Sequence, residues 1–491
     1  MFHKKSIEQL MLESAQTGEG TLKRTLSSFN LVALGIGAII GAGLFSLTGI
    51  AAAENAGPAV TISFALAAFA CAFAGLCYAE FASMIPVAGS AYTYSYATMG
   101  EFMAWIIGWD LVLEYALGAA TVAVSWSRYL LEILHKYNIN LPHEYIVSPW
   151  ETMKLGDGTV IEGGLINLPA IFIVCVLSLI LIRGTQESAS MNNFLVVLKV
   201  AVVLVFIVLG WSHINPDNYV PYIPENTGKF ENFGWSGIST GAAVVFFAFI
   251  GFDAVSTAAQ EAKNPQKGMP IGILGSLVVC TILYVLFAHV MTGLVNYKDF
   301  AGDAKPAATA FAMTGYSFLQ DALIIAILAG YTSVILVMLM GQSRVFYTMA
   351  KDGLLPKFFA VLHPRFRTPW QTNLFFLVFV SLFAGLVPVS DLGHMVSIGT
   401  LFAFVLVCIG ILVLRRSLPD AIRPFRTPFV PYVPIMGVLV CVYLMYSLPA
   451  ESWVRLFIWM AIGVVVYFSY GKKYSKIREL RDGKIVEKDR E

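Results

Sequence analysis

Residues 37–45 read GAIIGAGLF and place three glycines inside the first long apolar segment of the chain. Each glycine in a helix interior costs about 1 kcal/mol relative to alanine. One interpretation is close helix packing, because Gly37 and Gly41 form a GxxxG motif, which lets membrane helices approach each other. The other is that the helix is interrupted at this point. A second interrupted segment at a corresponding place in the chain would favour the interruption.

The composition defines the broad class of protein. Of 491 residues, 57% are apolar and only 13% are charged, whereas soluble domains are about 45–50% apolar. Apolar runs of about 20 residues, enough to cross a bilayer, recur along the chain. The sequence therefore predicts an all-α polytopic membrane protein. The net charge of +1 does not indicate nucleic acid binding.

Three kinds of pattern that would change this interpretation are missing from the sequence. The first apolar run is too long for the core of a cleaved signal peptide, so we expect it to remain in the protein. The six cysteines lie in apolar runs without a CxxC pair, which favours free cysteines over disulfides or zinc ligands. No nucleophile–base pair or metal-ligand cluster indicates an enzyme, a metal site or a cofactor.

Twelve membrane spans are predicted, separated by turn-forming segments such as AENAGP and INPDNYVPYIPENTG. In chain order, spans 1 to 12 are 29–52, 58–85, 102–132, 165–183, 192–211, 237–262, 270–295, 320–350, 370–388, 391–416, 430–447 and 452–470. With the N-terminus in the cytoplasm, 23 lysines and arginines fall in cytoplasmic segments and six in external loops. This bias predicts cytoplasmic termini in the cell membrane.

A second glycine interruption lies five spans after the first. It is FFAFIGFDA at 246–254, in span 6. Two broken helices at corresponding positions of two halves are typical of inverted-repeat transporters. We therefore predict a first repeat over 29–211, a second, inverted repeat over 237–416, and two further spans over 430–470. The flanking segments are a cytoplasmic N-terminal segment, 1–28, which could hold a short amphipathic piece (SIEQLMLESA), and a solvated tail, 471–491.

The two breaks predict a binding site for an α-amino acid. Gly41 lies about 12 residues into span 1 and Gly251 about 14 into span 6, roughly 18 and 21 Å deep at 1.5 Å per residue. The second half of span 1 begins with free N–H groups that suit a carboxylate, and the first halves of both helices end in free carbonyls that suit an ammonium. The predicted donors are Ala42, Gly43 and Leu44, and the predicted acceptors are Ile39 or Ile40, Phe247, Ala248 and Ile250.

Several stretches resemble the amino acid–polyamine–organocation superfamily, and within it the cationic amino acid transporter family. They include NLVALGIGAIIGAGLF, GWDLVLEYALG, FFAFIGFDAVSTAAQEAKNPQKGMPIGI and SRVFYTMAKDGLLP, within about 30–420. The resemblance implies the five-plus-five inverted-repeat fold and amino acid transport. The chain stops at twelve spans, as bacterial relatives do, so the resemblance does not fix the substrate.

Lys199 is an ionisable residue at membrane depth, which marks it as a functional candidate. It lies about seven residues, roughly 10 Å, from the inner end of span 5. It could extend its ammonium to the interface or contact the carbonyls near Gly37 and the hydroxyls of Thr332 and Ser333. Sodium-coupled members of the superfamily hold a sodium ion at this level, and a lysine here resembles the proton-coupled branch. The resemblance therefore implies proton coupling. Burial favours the neutral amine, which allows a proton to be lost and regained.

Carboxyl groups also lie at membrane depth. Glu114 is level with the breaks and belongs to the LEY sequence that matches the family. We predict that it lines the substrate cavity, pairing with a substrate cation or carrying a proton; a protonated acid bonded to a neighbouring helix is the alternative. Asp110, one turn away, is predicted to be structural. Asp253 is predicted to cap the second half of span 6.

Other polar and aromatic residues receive less specific predictions. Glu80 and Arg344 are expected to serve a cytoplasmic gate or to pair with loop charges. His289 and His394 are expected to be satisfied polar groups. Phe252, beside the break in span 6, is predicted to close over the substrate.

The combined prediction is a proton-coupled symporter that imports L-α-amino acids. The pocket residues Ile39, Phe247, Phe249 and Met338 are apolar, which favours small neutral amino acids such as alanine or a broad range. The family resemblance favours arginine and lysine. An exchanger and a non-transporting amino acid sensor are the rivals. The expected partners are the amino acid, protons and membrane lipids, and a small membrane subunit remains open.

Overall fold

The computed structural model describes residues 26–85, 87, 90–154, 160–183, 189–303 and 305–481. The predicted amphipathic piece at 6–15 and the end of the tail lie outside these residues. Eight helices in the described part are long and apolar enough to cross a membrane, and four further apolar helices are shorter. Together they confirm a polytopic helical membrane protein with the predicted order of segments.

The segments observed for the spans are close to the predicted ones. Span 1 is Ser28–Ile39 followed by Gly43–Leu47, Thr48–Ala51 and Ala52–Ala56, and spans 2 to 5 are Val60–Met84, Glu101–Lys136, Leu168–Arg183 and Ala189–Trp211. Span 6 is Gly234–Val245, Phe246–Phe249 and Asp253–Glu261, and spans 7 to 9 are Pro265–Leu294, Ser317–Lys351 and Trp370–Leu386. Spans 10 to 12 are Val389–Ser417, Tyr432–Tyr446 and Ala450–Val466, the last extended by Tyr467–Gly471.

Short elements in the connections were not predicted. They are the helices Ser90–Thr98, Pro306–Ala312, Lys472–Tyr474 and Lys476–Arg481, the 3-10 turns Gly57–Ala59, His143–Tyr145, Pro216–Tyr219, Tyr297–Phe300 and Lys357–Ala360, and an antiparallel pair of strands, β1 (Thr152–Lys154) and β2 (Val160–Glu162). Each is too short to produce a clear hydrophobic period.

Local chemistry explains where the spans begin. The Ser27 hydroxyl accepts the amide of Asn30 at 3.3 Å and caps span 1. Span 7 begins with Pro265 at its first position, where a missing N–H costs nothing.

The spans pack as two groups. Spans 1, 2, 6 and 7 contact one another, with span 7 against spans 1 and 2 and span 6 against span 2. Spans 3, 4, 8 and 9 form the other group. Span 5 contacts spans 1, 7 and 8, and span 10 contacts spans 2 and 3, so these two helices touch both groups.

Glu80 is buried at the end of span 2 and pairs with loop charges, which was one of the two roles expected for it. Its carboxylate accepts from the guanidinium of Arg415 at 2.9 Å and from the amide of Thr427 at 2.8 Å, and it forms an ion pair with Arg423 at 3.2 Å. The cluster holds the connection between spans 10 and 11 against span 2.

The first part of the predicted solvated tail is docked on the protein, which corrects the prediction. Glu101, at the start of span 3, accepts from Tyr467 at 2.7 Å, from Arg478 at 3.0 Å and from Ser475. Ser475 is fully buried. The prediction was wrong because a polar sequence can satisfy a buried carboxylate as readily as it can face water.

Candidate substrate and coupling site

Span 1 is interrupted where the glycines lie. Its first helix ends at Ile39, and Ile40 turns to an extended conformation (φ −70°, ψ 107°) before a π-helical segment begins at Gly43. The Gly41 carbonyl accepts the amides of Leu44 at 3.2 Å and Phe45 at 3.3 Å. Leu44 is therefore not the free donor that was predicted, because the new helix already uses its amide. Leu44 is the first residue whose amide this helix uses, and it follows Gly41, Ala42 and Gly43.

Span 6 is interrupted at the predicted position as well. Ile250 is extended (ψ 138°), and Gly251 has a φ of +111°, a conformation that L side chains rarely adopt. A Cβ atom on Gly251 would lie 2.9 Å from the Ala38 carbonyl oxygen. The second half of the span, Asp253–Glu261, is 3-10 helical. Glycine is needed here for both its backbone angle and its small size.

The two breaks face each other at contact distance. A Cβ atom on Gly43 would lie 2.2 Å from the Cα of Ala248, so span 1 and span 6 touch backbone to backbone. The side chains around both breaks are buried. The structure thus brings Ile39, Ile40, Gly41, Ala42 and Gly43 next to Phe247, Ala248 and Ile250.

Tyr284 of span 7 joins the two breaks, and the sequence analysis did not identify it. Its hydroxyl lies 3.0 Å from the Ile39 carbonyl and 2.9 Å from the Ala248 carbonyl, as a donor to both. The Phe247 carbonyl accepts the Ile250 amide at 3.2 Å. Three carbonyls predicted to be free therefore have donors in this structure. The available signal was a tyrosine within an apolar run, because a buried hydroxyl needs a partner.

We expect Tyr284→Phe to destabilise the protein by about 1–3 kcal/mol, because it leaves buried carbonyls without their donor. Thermal unfolding of the purified protein in detergent measures the effect. Tyr443→Phe is the matched control, because the Tyr443 hydroxyl bonds Ser239 at 2.7 Å on a half-exposed residue. Equal midpoints for the two variants would contradict a stabilising role of Tyr284.

Lys199 lies between the two groups of spans. Its ammonium donates to the Gly37 carbonyl of span 1 at 2.7 Å. Its side chain also packs on Gly330 of span 8, where a Cβ atom would lie 3.1 Å from its Cε. The hydroxyls of Thr332 and Ser333 donate to the carbonyls of Leu328 and Gly330 in their own helix. The lysine is 2% exposed, so its ammonium does not extend to the interface.

Glu114 lies beside the break in span 6. Asp253, Asp110 and Thr400 are close enough to affect its charge. The neighbouring Tyr115 hydroxyl donates to Asp253 at 2.7 Å and joins span 3 to span 6. Both carboxylate oxygens of Glu114 lack a hydrogen-bond partner among the described residues. Asp253 is the first residue of the second half of the span, and Phe252 before it occupies the N-cap position without a side-chain cap hydrogen bond.

Aromatic and thioether side chains surround the breaks. Phe252 is fully buried against Tyr78 of span 2 and Phe404 of span 10, with ring centroids 5.7 and 5.1 Å away. Met338 of span 8 lies against Gly118 of span 3, where a Cβ atom would be 2.9 Å from its sulfur. The closing role of Phe252 remains a prediction.

The remaining candidates lie away from the breaks or carry no ligand geometry. His289 stacks on Tyr219, and the hydroxyl of Tyr219 donates to the His289 carbonyl at 2.8 Å. His394 is half-buried near Asp391 and Arg455, and Arg344 lies in span 8. Among the described residues, no three His, Cys, Asp or Glu side chains are arranged to hold a metal ion.

Two buried helix breaks that face each other among apolar helices of membrane length indicate a transporter rather than an enzyme. The comparisons agree with this class. A family model for amino acid permeases matches residues 26–468. The chain belongs to the amino acid permease family, within the amino acid–polyamine–organocation superfamily.

Three similar proteins cover much of the chain. The branched-chain amino acid permease BcaP of Bacillus subtilis is 45% identical over 98% of this chain and 99% of its own length. The methylthioribose transporter of the same organism is 42% identical with the same coverage. The chloroplastic cationic amino acid transporter 9 of Arabidopsis thaliana is 38% identical over 82% of this chain and 68% of its own length.

Proposed function

We propose that the protein is a proton-coupled symporter that imports L-α-amino acids across the cell membrane, with both termini in the cytoplasm. The observation that carries this proposal is the pairing of the two breaks. Amides at the start of the second half of span 1 face a carboxylate, and carbonyls at the ends of the first halves face an ammonium. The amino acid would displace the Tyr284 hydroxyl from one or both carbonyls.

Proton coupling is supported by the position of Lys199. The charged amine donates to span 1 and packs on span 8, so it links the two groups of spans. Loss of its proton would remove the charge from that link. Alternate protonation would then favour different arrangements of the groups, which is what a symporter requires.

The substrate is proposed to be a neutral amino acid, small or within a broad range. Phe247 and Ile39 are apolar and buried at the breaks, and the apolar Met338 of span 8 is buried against span 3. The name of the B. subtilis permease, for branched-chain amino acids, supports a neutral substrate and extends the candidates from alanine to leucine, isoleucine and valine. Glu114 is the acid that could pair with arginine or lysine, which keeps a cationic substrate as the second candidate.

The test is uptake of labelled alanine, leucine and arginine into proteoliposomes, with and without an inward proton gradient. We expect accumulation of a neutral amino acid only with the gradient. Flux that requires internal amino acid and ignores the gradient would instead establish an exchanger. No flux despite substrate-dependent thermal stabilisation would indicate a sensor. Stabilisation by methylthioribose and not by amino acids would overturn the proposed substrate class.

Protons and membrane lipids are the other partners proposed. A small membrane subunit would be detected as a co-purifying protein of defined stoichiometry in mild detergent.

A further inference from the structure

Three buried carboxyl groups lie in a row beside the break in span 6. Asp253 begins the second half of that span, Glu114 faces it from span 3, and Asp110 lies four residues before Glu114, about 6 Å along the helix axis. All three side chains are at most 1% exposed. Asp110 lies on the side of Glu114 toward Glu101, the end of span 3 that contacts Arg478.

The Asp253 oxygen that accepts from Tyr115 is the one carboxyl oxygen of this row with a hydrogen-bond partner among the described residues. Both oxygens of Asp110, both of Glu114 and one of Asp253 have no hydrogen-bond partner among the described residues. An unpaired buried charge costs several kcal/mol, so the three cannot all be ionised together. The row must hold protons.

The groups around the row are hydroxyls and further acids. Tyr115 of span 3 and Tyr78 of span 2 are the titratable groups that face Asp253 and Glu114, and Tyr94, from the helix after span 2, faces Asp253. Span 10 contributes Thr400 beside Glu114 and Gly399, where a Cβ atom would be 3.4 Å from an Asp110 oxygen. The hydroxyls of Thr400, Tyr78 and Tyr94 are buried. These hydroxyls can relay protons, because each both donates and accepts.

We propose that Asp110 is the residue that takes the proton from Glu114 and passes it toward the Glu101 end of span 3. In this step the O–H bond of the Glu114 acid breaks and an O–H bond forms on the Asp110 carboxylate. One water molecule or the Thr400 hydroxyl carries the proton, and Glu114 is left ionised. This inference rests on the proposed proton-coupled function. It gives a transport role to a residue that the sequence analysis predicted to be structural.

The test is Asp110→Asn in proteoliposomes, with gradient-driven accumulation and exchange against internal substrate measured on the same preparation. Asparagine has nearly the same shape but cannot carry the proton. We expect accumulation to be lost and exchange to be kept, because exchange returns the carrier without releasing a proton. Asp391→Asn is the control, since Asp391 pairs with Arg455 at 3.2 Å and is one-third exposed.

The outcomes separate this inference from the proposed function. A wild type whose uptake ignores the gradient would overturn both, whereas a gradient-driven wild type with unchanged accumulation in Asp110→Asn would overturn only the role of Asp110. Loss of both activities in a folded variant would make Asp110 a structural residue. If the asparagine variant does not fold, Asp110→Glu decides. Retained accumulation with a shifted pH dependence supports the relay, and an unchanged pH profile overturns it.

Discussion

Lys199→Ala is expected to abolish gradient-driven accumulation of amino acid while leaving exchange measurable. The substitution removes the ammonium that donates to the Gly37 carbonyl at 2.7 Å and the stem that packs on Gly330. Without a group that gains and loses a proton at this contact, the movement of the two groups of spans no longer depends on the proton gradient. Uptake and counterflow in proteoliposomes measure the two activities separately.

Lys199→Arg distinguishes charge from proton exchange. Arginine remains charged at any physiological pH. It therefore keeps the positive charge at this contact but cannot lose and regain a proton. We expect it to lose accumulation as well. Lys298→Ala is the control, because this exposed lysine lies in the loop after span 7 and contacts the Tyr297 ring. Accumulation retained in the alanine variant would assign coupling elsewhere, with Glu114 as the next candidate.

The sequence contained enough information for the twelve segments and for both breaks. Apolar runs of membrane length are long signals, and the glycines in GAIIGAGLF and FFAFIGFDA lie at the observed interruptions. Gly251 shows why a glycine can predict a helix break, because its φ of +111° requires a glycine. The division of the chain into repeats at 29–211 and 237–416 remains a prediction.

The details of the site were harder to predict because they depend on partners distant in the chain. Tyr284 bonds residues 245 and 36 positions away, and a single tyrosine in an apolar run does not reveal which carbonyl it meets. Leu44 was wrongly predicted to be a free donor, because its amide bonds the Gly41 carbonyl. The positions of the glycines alone do not show where the new helix begins to use its amides. The tail was misassigned because its partner, Glu101, lies 374 residues before Ser475.

Gly43→Ala is expected to stop transport and to destabilise the protein by about 1–3 kcal/mol, the usual cost of overpacking a well-packed site. The added Cβ would lie 2.2 Å from the Cα and 2.5 Å from the Cβ of Ala248. Because the obstacle includes backbone, one of the two broken helices must shift. That shift changes the spacing between the amides of span 1 and the carbonyls of span 6, on which amino acid binding depends.

Gly41→Ala is the matched control for this prediction. It adds the same methyl group two residues away, where the new Cβ meets only Val334 methyl groups, the nearer at 3.4 Å, an ordinary contact. We expect near wild-type thermal stability and measurable counterflow for Gly41→Ala. Thermal midpoints and counterflow of the two variants, measured side by side, show whether the close contact at Gly43 is needed for stability and transport. If Gly43→Ala exchanges amino acid as well as Gly41→Ala does, the contact between the two breaks is not needed for transport, because the backbone there can yield without losing the site.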